Sequence, residues 1–235
     1  MLTIFKFCLI LNSELMVFAD FDGTIRPGNA AYEFAAISGK GRKAKELYFT
    51  INSKTKEIVK EEKNQSHLIK RLDALYESLL KLGASLLQDV PTTRISEIPY
   101  QPTPKLLDIV ATAEKEGALD IGTLDHEGFV EKFIEVNKEK LPSCCKIVSC
   151  SKLGEANGFF NGEIERYSGI EAKMHNYRSG SVYANSLSDI GVCVKANESK
   201  SNCKIYVVDN PESILNENAL LEEFLEENGI PFLKA

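Results

Sequence analysis

Met-Val-Phe-Ala-Asp-Phe-Asp-Gly-Thr, residues 16–24, is the stretch that decides how the chain is read. Met16 to Ala19 is a short apolar run that stops at Asp20. Such a run, bounded by polar residues, reads as a buried parallel strand. The turn that follows presents two carboxylates, Asp20 and Asp22, two positions apart. Open parallel sheets build their sites at this end of their strands. Two carboxylates there can divide labour. One attacks phosphorus and becomes an aspartyl phosphate. The other protonates the leaving oxygen and then activates water. Gly23 lets the chain turn sharply, and Thr24 can hydrogen-bond within the loop. A calcium loop would need further oxygen ligands and a late glutamate, and Asn29 and Glu33 do not supply that pattern.

Outward from this loop the pattern turns helical. Ala44, Tyr48, Ile51, Thr55 and Ile58 fall at steps of four and three, and so do Leu68, Leu72, Leu75, Leu79, Leu82 and Leu86. Each set makes one apolar stripe on a long helix. Asn64 to Ser66 lies between them, so the pair reads as an antiparallel hairpin. Helices are expected over residues 105–115 and 129–140. Short strands are expected at residues 145–149, 181–184 and 204–208, then a helix over 213–227 and a last short strand at 230–232. One strand, a helical block, then alternating strands and helices specify an α/β fold with a doubly wound, Rossmann-like parallel sheet. The expected division is a core of residues 1–27 and 119–235 with a helical cap of residues 28–118.

Bulk properties narrow the function. The chain has 235 residues, 43% hydrophobic and 26% charged, with a net charge of −6. That balance argues against a nucleic-acid binder. The apolar start, residues 1–12, is broken by Lys6 and too short to span a bilayer. It lacks a basic leader and a small-residue cleavage site, and reads as an extra strand or an early start. Cys8, Cys144, Cys145, Cys150, Cys193 and Cys203 match neither a zinc nor a redox spacing. They read as reduced thiols, which favours the cytoplasm. His67, His126 and His175 have no ligand-like spacing. Between Ser38 and Arg71 lie ten Lys or Arg and four Glu. Such an insert suits an anionic substrate if it faces the site, and is otherwise a solvated surface. Tyr32, Glu33 and the basic stretch from Lys40 to Lys45 are candidate substrate contacts.

Asp20-Phe21-Asp22-Gly23-Thr24 after an apolar strand resembles motif I of the haloacid dehalogenase superfamily, and later stretches resemble its phosphoserine-phosphatase-like branch. Ile147-Val148-Ser149 resembles motif II, whose hydroxyl binds the phosphoryl group. Gly169 to Tyr177 (GIEAKMHNY) resembles motif III, with Lys173 neutralising phosphate charge. Tyr183 to Asp189 (YANSLSD) resembles motif IV, with Asp189 as a supporting carboxylate. Asn157 to Ile164 resembles a family hairpin, and Val207 to Glu212 a strand and turn near that branch's C-terminus. The resemblance covers residues 16–24 and nearly everything from 146 onward. It implies a phosphatase with Asp20 and Asp22 as catalytic residues, Thr24, Ser149 and Lys173 on the phosphate, and magnesium held by Asp20, Asp22 and residue 185. The dehalogenating branch lacks the second acid, so Asp22 points to phosphate esters.

One position departs from the pattern. Motif IV opens on Gly-Asp, and here it reads Ala184-Asn185. Asn185 offers a carbonyl oxygen without charge, which weakens the hold on a hard cation. The expectations are weaker affinity, a different divalent ion, or a catalytically impaired protein that binds phosphate or a partner. The branch's glutamate nine residues after the nucleophile, which holds the amino group of phosphoserine, is replaced by Asn29. The expected substrate is a small phosphorylated metabolite, with no nucleic-acid or membrane partner.

Overall fold

The computed structural model describes residues 15–199, 203–209 and 217–235. The expected N-terminal strand, part of the Val207–Glu212 turn and the start of the helix expected over 213–227 lie outside these. The described chain builds one seven-stranded sheet. β1 is Val17–Asp20, β2 Leu119–His126, β3 Cys145–Ala156, β4 Phe159–Arg166, β5 Val182–Ala184, β6 Ile205–Val207 and β7 Leu233–Lys234. Their order across the sheet is β4-β3-β2-β1-β5-β6-β7. All pairings are parallel except β3 with β4. Asn157 and Gly158, both at positive φ, turn β3 into β4, the conformation that a two-residue hairpin favours.

The order of the strands reverses between β1 and β5, so a crevice opens past their C-terminal ends. β1 is buried along its whole length, as a strand covered on both faces must be. Phe18 packs edge-on against Tyr177, and Phe21 against Phe133 with centroids 5.5 Å apart. Burying each ring contributes about 2–3 kcal/mol, which anchors the loop carrying Asp20 and Asp22 from behind.

Helices cover both faces of the sheet. α1 is Ala30–Ile37, α2 Gly41–Glu61, α3 Gln65–Leu86, α4 Leu106–Glu116, α5 Glu127–Val136, α6 Ile170–Asn176, α7 Ile190–Glu198 and α8 Glu217–Glu227. α2 and α3 form the expected hairpin. Asn64 caps α3 by accepting the His67 N–H at 3.0 Å. Leu68 and Leu72 of its stripe are buried, whereas Leu82 is 58% exposed. The buried part of the stripe packs with α6 and α7 residues such as Ile170 and Ile190. A cross-link fixes the hairpin to the core: Asp73 of α3 accepts the Ile170 N–H at 2.5 Å. α4 lies within the 28–118 insert of the sequence reading, yet its Leu106, Ile109 and Ala113 join the core around Val17 and Ala19. It serves as the crossover helix between β1 and β2. Among the described residues, no helix is long and apolar enough to cross a membrane.

β2 is absent from the sequence reading. It pairs directly with β1, Asp20 standing opposite Gly122. Gly122 has a steric reason: a Cβ there would lie 2.4 Å from the Phe18 ring.

Candidate active site

Asp20 ends β1 and is closed off from solvent. Lys173, completely buried on α6, donates to Asp20 Oδ1 at 2.7 Å and to Asp189 Oδ1 at 2.8 Å. It also donates to Ser188 Oγ at 3.1 Å. Burial alone would lower the Lys173 pKa, but Asp189 and Asp20 more than offset that and raise it, so the ammonium stays charged. Burial, aided by Asp189 and opposed by Lys173, pushes Asp20 up to about 7.

Asp22 is held from the other side. Its Oδ1 accepts the Ala30 N–H at 3.1 Å and faces Arg26 Nη1 at 3.3 Å. Arg26 is itself buried, with Glu33 and the Pro27 and Pro99 carbonyls completing its shell. Asp22 Oδ2 has no hydrogen-bond partner among the described residues. It faces the Asp125 carboxylate, a contact that becomes a hydrogen bond only when one of the two is protonated. Burial first, then Asp125, raises the Asp22 pKa well above the carboxylate range. A carboxyl that keeps its proton more tightly than an ordinary one is suited to donate it to a leaving group.

Asp20, Asp22, Thr123, Leu124, Asp125, Asn185, Ser186 and Ser188 form the floor of one cavity of about 100 Å³, and Asn29, Tyr48, Tyr76, Leu79 and Leu80 close over it. Asn185, 5% exposed, donates its backbone N–H to Asp189 Oδ2 at 3.3 Å. Its side-chain Oδ1 is buried without a partner.

The expected residues do not all meet here. Asp20, Asp22, Lys173, Asn185 and Asp189 converge. Ser149 stands elsewhere: it pairs with Gly122, one strand beyond the strand next to Asp20. Its Oγ lies 2.6 Å from Ser168 Oγ, buried and off the cavity. The hydroxyl just past the last pairing of the adjacent strand with Asp20 belongs to Thr123. Thr24 is fully buried and does not line the cavity; its carbonyl accepts the Thr103 hydroxyl at 2.6 Å. Nor do the basic residues from Lys40 to Lys45 line it. Arg42 pairs with Glu46 instead. Tyr32 packs edge-on against Tyr48, and Glu33 holds Arg26. Thr123 and Asp125 were missed because their strand was missed. The signal available was a Gly-Thr pair following Leu-Asp-Ile, with three residues between it and a helix.

Among the described residues no three histidine, cysteine, aspartate or glutamate side chains converge as a metal cluster. That does not conflict with a magnesium site, because magnesium is commonly held by only one or two carboxylates besides waters and substrate phosphate. The donors here are hard oxygens: the Asp20 carboxylate and Asn185 Oδ1 line one cavity, and Asn185 Oδ1 is buried there without a partner. The residues therefore fit such an ion.

No family model matches the chain, and no curated protein matches its sequence. Solved structures do match its fold. A phosphoserine phosphatase captured as a phospho-aspartyl intermediate analogue gives a TM-score of 0.54 at 17% identity, over 91% of this chain and 98% of that one. A cytosolic 5′-nucleotidase IIIB bound to cytidine gives 0.59 at 11% identity, over 91% and 78%. A HAD family hydrolase from Salmonella enterica serovar Typhi gives 0.57 at 12% identity, over 88% and 70%. The chain has the fold of the phosphoserine phosphatases and the other haloacid dehalogenase-type hydrolases.

Proposed function

We propose that the chain hydrolyses a small phosphomonoester through an aspartyl phosphate on Asp20. The observation that carries this is the pairing of buried Lys173 with Asp20 at the end of β1, with Asp22 in the same cavity. An Asp20 oxygen attacks phosphorus as the bond from phosphorus to the leaving oxygen breaks. Asp22, whose proton affinity is raised by burial and by Asp125, gives its proton to that oxygen. In the second half Asp22 takes a proton from water, whose oxygen attacks phosphorus and releases Asp20. Thr123 takes the phosphate-binding role expected of Ser149. Its Oγ1 accepts the Asp125 N–H at 3.1 Å, leaving its own proton for a phosphoryl oxygen.

A divalent ion, held by the Asp20 carboxylate, the Asp22 backbone carbonyl and the Asn185 side chain, would offset negative charge on the phosphoryl group. Lys173 keeps Asp20 oriented and adds a fixed positive charge beside the transferring group. The helices α1 to α3 act as the cap that chooses the leaving group. The test is turnover of p-nitrophenyl phosphate with several divalent ions, beside Asp20→Asn. Metal-dependent turnover lost in the variant is expected, and equal turnover in both proteins overturns the mechanism. A second reading, phosphate binding without turnover, rests on the missing charge at Asn185. Turnover that appears only in Asn185→Asp would favour it.

A further inference from the structure

The walls of the cavity carry information about the leaving group. Tyr76, Leu79 and Leu80 share one face of α3, at spacings of three and four, and all line the cavity. Tyr48 of α2 and Leu124 of β2 complete an aromatic and aliphatic surround. Asn29 is the remaining polar residue of the cap side. Its Oδ1 already accepts the Tyr32 N–H at 2.8 Å and the Tyr48 hydroxyl at 2.6 Å, so both lone pairs are used within the protein.

No lysine, arginine or histidine is among these described lining residues. The two cations nearby are committed. Lys173 is shared by Asp20, Asp189 and Ser188, and Arg26 by Asp22, Glu33 and two carbonyls. A carboxylate on the leaving group would enter beside Asp125 with nothing to balance it. An ammonium group on the cap side would lie against Leu79 and Leu80 after losing its water, because Asp125 sits on the floor and is already engaged with Asp22. Either burial is costly. The cavity, about 100 Å³, is also far smaller than the several hundred Å³ of a typical drug-sized ligand site.

Resting on the phosphomonoesterase reading, we propose that the leaving group is small, uncharged and apolar on at least one face. The substrate is then the phosphate ester of a small neutral alcohol or phenol, and not a phosphorylated amino acid. Such a group exchanges water for Tyr48, Tyr76 and Leu79 without stranding a charge.

The test measures binding and turnover separately. Titration calorimetry of the full chain with magnesium compares benzylphosphonate, 2-aminoethylphosphonate and 2-amino-4-phosphonobutanoate, none of which can be hydrolysed as an ester. Benzylphosphonate is expected to bind about tenfold more tightly than either charged analogue. Leu79→Arg is expected to shrink its advantage over the amino-acid analogue to about threefold or less. Equal affinities, a reversed order, or no binding of all three overturns the proposal. Loss of p-nitrophenyl phosphate turnover with this binding order retained would sink the hydrolase reading and leave the pocket assignment standing. Turnover with a charged analogue bound best would do the opposite.

Discussion

Lys173 Nζ lies 2.7 Å from Asp20 Oδ1, and both side chains are closed off from solvent. The ammonium bridges Asp20 to Asp189 at the base of the cavity. Removing one member of a buried, paired set leaves the others uncompensated, at a cost of about 3–5 kcal/mol. Lys173→Met should therefore melt at a lower temperature and lose about 10²–10³ in kcat. Adding Asp189→Asn should recover part of the stability, since one stranded charge is removed, and none of the activity. Thermal melts and kcat of the single and double variants check both halves. A double variant no more stable than the single one would refute the charge-bridge account.

Thr123 and Ser149 lie at comparable levels on neighbouring strands, but only Thr123 lines the cavity. Thr123→Val keeps the shape and removes the hydroxyl, so kcat/KM should fall about 10²-fold. Ser149→Ala leaves Ser168 Oγ without its neighbour. It should cost about 1–2 kcal/mol of stability and leave kcat/KM unchanged. A large loss of activity in Ser149→Ala, with none in Thr123→Val, would return the phosphate-binding role to Ser149.

The exchange of these two residues shows what the sequence does and does not carry. Asp20 and Asp22 were legible because an apolar strand ran straight into them. Lys173, Asn185 and Asp189 were legible as motifs in the right order, and the α2–α3 hairpin as two stripes with Asn64 between. β2 was not legible. A strand buried at the centre of a sheet usually reads as a continuous apolar run, but Asp120, Gly122 and Thr123 interrupt this one. Gly122 is there because Phe18 needs its space, a requirement set by a residue about a hundred positions earlier. With β2 unseen, the first serine after the next apolar run was given its role. β3 does not end at Ser149. It continues to Ala156 and turns into β4, a hairpin that was itself expected from Asn157 to Ile164. The basic residues from Lys40 to Lys45 do not line the cavity, and the stripe could not show this: it says which face of α2 is buried, not which end reaches the cavity.

Asp125 faces Asp22 Oδ2 and helps to raise its proton affinity. If Asp22 is the general acid, activity falls as pH rises through its pKa. Asp125→Asn removes the neighbouring negative charge, so the alkaline limb of the kcat profile should move to lower pH. The direction follows from the sign: a like charge disfavours the carboxylate, and its removal lets Asp22 ionise earlier. A limb that stays in place, or moves to higher pH, would show that Asp125 does not tune Asp22.

His126 supplies a stability test away from the nucleophile. Its side chain is 3% exposed and packs edge-on against Phe129 and Phe160. Nδ1 accepts the Leu153 N–H at 3.2 Å, which fixes the neutral tautomer with the proton on Nε2. Burial, partly opposed by Glu127 and Asp125, lowers its pKa from 6.5 to about 4. A base with a depressed folded pKa contributes stability that is complete above pH 6.5 and is lost as pH falls toward 4. The difference is worth about 3 kcal/mol. Asp20, raised to about 7, acts in the opposite sense, gaining relative stability over part of the same range. The net slope of the wild type therefore mixes the two, and a variant is needed to separate them. His126→Phe should be less stable than wild type at pH 7.5, because the Leu153 N–H loses its acceptor. Between pH 6.5 and pH 4.5 it should gain on the wild type as the histidine component drops out. Denaturant midpoints of both proteins at these three pH values measure that difference, and parallel curves would show that His126 is not buried as a neutral ring.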